Sequence, residues 1–381
     1  MAWAQHEARL RSRRQITAAD MLIAIAAQSS LLVSSVGGNA NLTAARLRDV
    51  APAPGDGAPV APTGRIPLAE EAKPGIAEAA AEYARRGTGR TGITPYHLLA
   101  GLLAAPGSTA ISTLAAAGAD VEGARRRMGL ILDDVYGPAT GPAAAAGPRA
   151  TADDAARVAP YLRYRAETRK AVRLMAEERF GEAAGFWAEL AERHPSEQEP
   201  PLRLARCLIA AERWDEATAP LRQVMAVTRP EEPMGAEARN IFAWSSVVRE
   251  LLAEGAVDEI TLGEARRAAE EAVACFPESN YTDALALIRV LDGDPGAAAR
   301  MLEPIVTRSV PHQLAEHHLA MIETTSALAH GALGDVRAAR RLVSTARRRK
   351  VAPHQARFRD WAAGAVLSGR IPGNPPPRAA G

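Results

Sequence analysis

A small residue recurs through the second half of this chain near the head of helix-forming stretches, each closed by proline or opened by Gly-Asp. ERFGEAAGFWAELAERHP carries Ala183 and closes at Pro195, and ERWDEATAPLRQVMAVTRP carries Ala217 and closes at Pro230. GEARRAAEEAVACFP carries Ala265 and closes at Pro277, while GDPGAAARMLEPI and GDVRAARRLVSTA add Ala298 and Ala339. These alanines are 34, 48, 33 and 41 residues apart. The constraint is steric. An alanine where two helices cross lets the backbones approach, and proline, with no N–H and a ring that clashes with the preceding turn, ends the second helix. Ala171, Ala205, Ala286 and Ala327 each stand twelve residues ahead of their partner alanine, in the preceding helix. In the third repeat that offset falls on Ala253, inside the insertion AEGAVDEITLGE, so Ala243 is the expected counterpart. The 41-residue step implies a second, shorter insertion. Units of this length that each bury one face on the next stack into a solenoid.

The pattern resembles the tetratricopeptide repeat, a helix pair with a period of about 34 residues. The resemblance implies an all-α solenoid over 157–370, with the first helix of each pair lining a concave, partner-binding face. Aligned on the small residues, the groove positions are Arg165, Thr168 and Val172 in the first repeat. Arg206 and Ile209 follow in the second, and Asn240 and Trp244 in the third. An arginine can grip a client carboxylate with two parallel hydrogen bonds. Arginine and tryptophan are both enriched among the residues that dominate binding energy. Core packing is the alternative for Trp244, and a solvated surface charge the alternative for Arg206.

The first third of the chain holds a different duplication. GTGRTGITPYHLL contains a literal G-x-G-x-x-G at Gly87, Gly89 and Gly92. A dinucleotide site needs a strand running into the glycines. AEEAKPGIAEAAAEYARR precedes them instead, and its alanine, glutamate and arginine predict a helix. ITPYHLLAGLLAA (93–105) matches ITAADMLIAIAA (16–27), and LLVSSVGGNANLTAARL resembles AISTLAAAGADVEGARR. Thus 1–50 and 66–132 read as two copies of one helical unit, separated by a Pro-, Gly- and Ala-rich linker. Thr94 is the expected cap of a helix that opens on Pro95.

This duplication resembles the Clp amino-terminal domain, the paired-repeat module of Hsp100 unfoldases, most clearly at 66–132. The resemblance implies an all-α helical bundle over 1–135 that recognises protein substrates or adaptors of a Clp-type unfoldase. Some members bind phosphoarginine through an acidic residue before the helix histidine. Tyr96 precedes His97 here and Ala19 precedes Asp20, so that property is not carried over. The ATPase that normally follows has no counterpart, because no G-x-x-x-x-G-K-[ST] loop occurs. The expected organisation is a Clp-type bundle over 1–135, a flexible linker over 136–156, the solenoid over 157–370 and a disordered tail over 371–381.

Charge and chemistry narrow the function further. Lys+Arg 46 against Asp+Glu 44 gives a formal net charge of +2, too small to draw nucleic acid or an anionic membrane to the whole molecule. Arg125–Arg127 and Arg347–Lys350 could contact phosphates or acidic peptides, which leaves a helical regulator associated with nucleic acid as the alternative function. A solvated cap at the end of the solenoid is the expectation for the second cluster. Cys207 and Cys275 lie far apart and read as buried thiols of a cytoplasmic protein. HQLAEHH places His312, Glu316, His317 and His318 close together but lacks the H-E-x-x-H spacing, and reads as a solvated helix face. Ser34, Ser35, Ser245 and Ser246 lack a nucleophile-elbow context, and Glu177 and Glu178 are expected on an amphipathic repeat helix, solvated at its surface. No catalytic set, cofactor or metal is expected. SRRQ before ITAADMLIAIAAQSSLLVSS resembles a twin-arginine export signal, against which stand Asp20 and Glu7. No apolar run reaches the roughly eighteen residues of a membrane span. The reading is a non-catalytic adaptor or scaffold that binds protein or peptide partners.

Overall fold

The computed structural model describes residues 2–39, 42–53, 66–86, 92–138, 150–276, 281–307 and 315–372. Among them the regular structure is helical, apart from one isolated parallel bridge between Ile16 and Leu68. Among the described residues no single helix is long and apolar enough to cross a membrane. The chain divides into two compact units, Met1–Val172 with Glu192–Glu199, and Arg173–Ala191 with Pro200–Gly381.

The first unit repeats one local plan. Helices α1 (Ala2–Leu10), α2 (Ala18–Gln28), α3 (Ser30–Gly37) and α4 (Ala44–Val50) belong to the first sequence copy. A 3₁₀ turn (Glu70–Ala72), α5 (Lys73–Arg86), α6 (Pro95–Ala104), α7 (Thr109–Ala116) and α8 (Val121–Tyr136) belong to the second. Thr17 and Thr94 are the residues before α2 and α6, and each donates its backbone N–H to a side chain three residues on. The acceptor is Asp20 Oδ2 at 2.8 Å in the first copy and His97 Nδ1 at 3.3 Å in the second. Ser29 and Ser108 cap α3 and α7 in the same way, each accepting a backbone N–H through its hydroxyl. Gly38 and Gly118 end those helices in the left-handed region that glycine tolerates, at φ 70° and 85°. At Gly101 a Cβ would fall 2.1 Å from Gly75 O and 2.5 Å from Ala79 N, so α6 crosses α5 where it can bear no side chain. The helix expected ahead of the glycine loop is α5; residues 87–91, with Gly87 and Gly89, lie outside the described residues.

Asp20, the charge that interrupts the apolar stretch, is buried. Arg11 Nη1 lies 3.0 Å from its carboxylate and Arg13 Nε 3.4 Å, so an arginine of SRRQ has a partner inside the folded unit. Part of the 136–156 segment read as linker is helical. Helix α9 (Ala152–Ala176) begins within it, and residues through Val172 belong to the first unit. The reason is Asp154. It accepts from Arg127 Nη1 at 3.0 Å and from Arg126 Nε at 2.7 Å, and Arg127 is 1 % exposed. A buried guanidinium needs that carboxylate, so α8 holds the head of α9.

The second unit is a run of helix pairs. It continues through α10 (Phe180–Arg193), α11 (Glu199–Ala210), α12 (Trp214–Val227), α13 (Pro233–Glu254), α14 (Glu259–Cys275) and α15 (Thr282–Leu291). Then follow α16 (Pro295–Thr307), α17 (Glu316–Ala332), α18 (Val336–Arg347) and α19 (Pro353–Ser368). Ala183, Ala217, Ala265, Ala298 and Ala339 are at most 1 % exposed, and Ala171, Ala205, Ala243, Ala286 and Ala327 are fully buried. Ala253 is exposed, which makes Ala243 the third counterpart. The insertion near it is absorbed mostly by helix, since α13 runs for 22 residues and α14 for 17. The second insertion falls where residues 308–314 lie outside the described residues.

Four of the turns inside these pairs share one hydrogen-bond pattern. Glu178 N–H donates to Met175 O at 3.1 Å and Arg179 N–H to Leu174 O at 2.9 Å. Glu212 and Arg213, Gly293 and Asp294, and Gly334 and Asp335 repeat it at matching positions. This two-bond closure satisfies carbonyls that the helix end would leave bare, and it requires a left-handed residue. Glycine fills that place at φ 81° in the fourth and fifth repeats, but Glu178 and Glu212 fill it at φ 60°.

Candidate binding cavity

The first helices of the second unit surround a cavity of about 880 Å³. Arg206 and Ile209 reach it from α11, and Asn240 and Trp244 from α13. These four groove positions, expected from repeat register, therefore share one site. The other three do not. Arg165, Thr168 and Val172 belong to the first unit. Arg165 stands over the Tyr96 ring at 5.4 Å with Asp134 at 3.5 Å, and Thr168 Oγ1 donates to the carbonyl of Arg165 at 3.0 Å. Val172 is exposed. All three lie on α9, in the stretch through Val172 that belongs to the first unit.

Trp244 is half-buried, which joins the two readings open for it. Its ring lies 6.0 Å from Trp214 and edge-on to Phe358 at 5.8 Å, and it still lines the cavity. The far wall comes from α19, distant in sequence. His354 lines the cavity from its first turn, and Arg357 pairs with Glu212. Phe358, fully buried, fastens the same helix against Trp244.

The polar end of the cavity is unusual in its charge balance. Arg206 pairs with Glu237 across α11 and α13. His317 and His318, from the first turn of α17, have ring centroids 4.1 Å apart. Burial lowers the His317 value and nearby Arg206 lowers it further. Burial, His317 and Arg206 together bring His318 down to about 4, and burial with His317 does the same to His354. All three are therefore neutral imidazoles at physiological pH. Asp283, at the head of α15, is held by the Ala284 N–H at 2.9 Å, yet burial pushes its carboxyl up to about 7. Asn240 Oδ1 and His354 Nδ1 are buried without a hydrogen-bond partner, a cost that an occupied site can recover.

Sequence reasoning missed Asp283 and the histidines. Asp283 stands three residues before Ala286, as Asn240 stands three before Ala243, so extending the register by one repeat would have found it. The HQLAEHH stretch is not a solvated face throughout: Glu316 is exposed, but His317 and His318 are half-buried in the cavity. His312 lies outside the described residues. Among the described residues no group of three or more His, Cys, Asp or Glu is placed to hold a metal ion.

Four arginines of the two basic clusters are bonded within the chain. Arg125 Nε donates to Leu103 O at 2.7 Å, while Arg126 and Arg127 share Asp154. Arg349, expected as part of a solvated cap, makes two bonds to Glu323 at 2.7 and 2.8 Å.

Residues 174–239, from the last turn of α9 into α13, match the tetratricopeptide repeat family. Two solved structures are similar over part of the chain. Both are of a Podosopora anserina protein assigned as a kinesin light chain with nearly identical TPR-like repeats, one of them a single-substitution form. Each is 22% identical, covers 49% of this chain and 93% of that one, and has a TM-score of 0.37 or 0.36. No curated protein sequence matches. The chain is all-α, with a tetratricopeptide-repeat-like solenoid in its second unit.

Proposed function

We propose that this protein is a non-catalytic interaction scaffold or adaptor that holds protein clients through the cavity of its solenoid. Tetratricopeptide repeats generally mediate protein–protein interaction, and the family match includes α11, which supplies Arg206. The observation that carries the reading is the convergence of Arg206, Ile209, Asn240 and Trp244 on one cavity of a size suited to a few peptide residues. The duplicated helical plan of the first unit supports a finer version, in which that unit acts like a Clp amino-terminal module and connects clients to a separate unfoldase. A reducing cytosol, where Cys207 and Cys275 stay thiols, belongs to the same proposal. The nucleic-acid alternative has less support, since four of the arginines that suggested it are bonded within the chain.

The test is affinity capture from native extract with the intact chain and its Arg206→Glu variant, with melting temperatures measured in parallel. Arg206 is 40% exposed and its pairing with Glu237 contributes little to folding, so the variant should melt within a few degrees of wild type. Its captured partners should be lost. Partners retained in full would remove the cavity from the mechanism, and a large fall in melting temperature would assign Arg206 to the fold instead.

A further inference from the structure

The inference concerns what the cavity holds and rests on the proposed function. Around its polar end, burial lowers the three imidazoles first, and every further group acting on them, the Arg206 guanidinium or the His317 ring, acts in the same direction. Arg206 acts on His317 and His318, and His317 acts on His318 and His354, with no carboxylate offsetting them. The carboxylates present are otherwise occupied or distant in effect. Glu237 is engaged by Arg206 from α13, and Glu316, next to His317 on α17, reaches out to Arg349 at 3.4 Å. Asp283 on α15 is neutral below about pH 7, and Glu178 is an exposed rim residue. Lys350, just before α19, adds a second fixed cation, and the Tyr281 hydroxyl stays protonated because burial raises it. Trp244, Ile209 and Met321 supply an apolar wall. Positive groups and uncharged proton carriers thus face the same space as apolar surface.

We propose that the cavity takes a carboxylate-bearing peptide segment, seated against Arg206, His317, His318 and His354, and that its grip tightens in mild acid. An anion beside these imidazoles favours their charged form, so each protonates at a higher pH with the peptide bound than without it. Between those two pH values binding takes up protons, and affinity rises as pH falls. Asp283 works in the same direction, since it turns anionic and repels the peptide as pH rises past about 7. Glu237 competes with the incoming carboxylate for Arg206.

The full chain is titrated with a short rhodamine-labelled peptide of Glu, Leu and Gly, and with a matched peptide carrying Lys for Glu. The acidic peptide should bind, at least roughly tenfold more tightly near pH 5.5 than near pH 7.5. The His317→Asn/His318→Asn double variant should flatten that dependence. Glu237→Gln should tighten binding near pH 7.5, a gain that keeps the proposal testable even where the double variant folds poorly. Loss of binding on amidating the peptide's end would support the chain terminus as the carboxylate source, and retention would support the Glu side chains. Preference for the Lys peptide, a pH-independent affinity, or no binding of either peptide would overturn the proposal. Whole-protein capture by the wild type but not by Arg206→Glu would then still stand, so this failure is separable from failure of the scaffold reading.

Discussion

At Asp283 a carboxyl group is buried at the head of α15 and keeps its proton to about pH 7. Its folded value lies above its unfolded one, so the folded state binds an extra proton between roughly pH 4 and pH 7. The stability it contributes is present below that window and is lost as pH rises through it. Asp283→Asn should therefore change stability little near pH 4 and raise it near pH 8, by an upper bound of about 4 kcal/mol, read as a higher melting temperature. His318 and His354 act in the opposite sense, destabilising the fold as pH falls from 6.5 towards about 4, which is why the variant must be compared with wild type at each pH. An equal shift at both pH values would show that Asp283 ionises freely. A second residue-scale expectation concerns Glu178, exposed and held at φ 60° where later repeats use glycine. Glu178→Gly should stabilise by about 1 kcal/mol, or roughly 2–4 °C in thermal melting. A lower melting temperature would show that the loss of unfolded-state stiffness outweighs the relieved backbone.

Among the elements, the crossing alanines decide how closely helices pair. Ala217→Leu forces extra methylenes into a contact that is 1% exposed, and should cost about 1–3 kcal/mol. Ala253→Leu, on the exposed end of α13, should stay within roughly 0.5 kcal/mol. Comparable losses in denaturant melts of the two variants would contradict the assignment of Ala243 to the crossing. Much at this scale was legible in the sequence, because a steric requirement at each crossing recurs with the period of the repeat. The alanine pairs, the Gly-Asp turns at Gly293 and Gly334, and the paired capping threonines at Thr17 and Thr94 all follow local rules. The left-handed Glu178 and Glu212 were not legible, since the backbone there is dictated by repeat closure and not by side-chain preference. Arg165 falls outside the cavity for a related reason: register fixes which helix a residue lies on, but Tyr96 and Asp134, far away in sequence, fix what it touches.

For the molecule as a whole, the boundary between units follows buried charge more than composition. Arg127 on α8 depends on Asp154 on α9, and Glu197 accepts from Ser30 Oγ at 2.6 Å and Leu31 N–H at 3.0 Å. A fragment of residues 1–135 lacks both carboxylates, whereas 1–199 keeps them. In the shorter fragment Arg127 keeps Asp120 and the Val36 carbonyl but loses its buried carboxylate partner, so that fragment should melt below the longer one by circular dichroism. Equal melting would return the boundary to the Pro- and Gly-rich stretch. The cavity was only half legible for the same long-range reason. Its α11 and α13 walls lie in register, but His354 and Phe358 come from a helix that returns to Glu212 across 145 residues. What the cavity holds is the central claim, and site-specific photo-crosslinking tests it most directly. A benzoylphenylalanine replaces Ile241, which lines the cavity, or Ile260, which is 78% exposed and outside it. Irradiation in native extract should join a defined client polypeptide to position 241 and not to 260, and Arg206→Glu should abolish the adduct. Adducts at 260 alone, or an adduct at 241 indifferent to Arg206, would contradict a client-binding cavity.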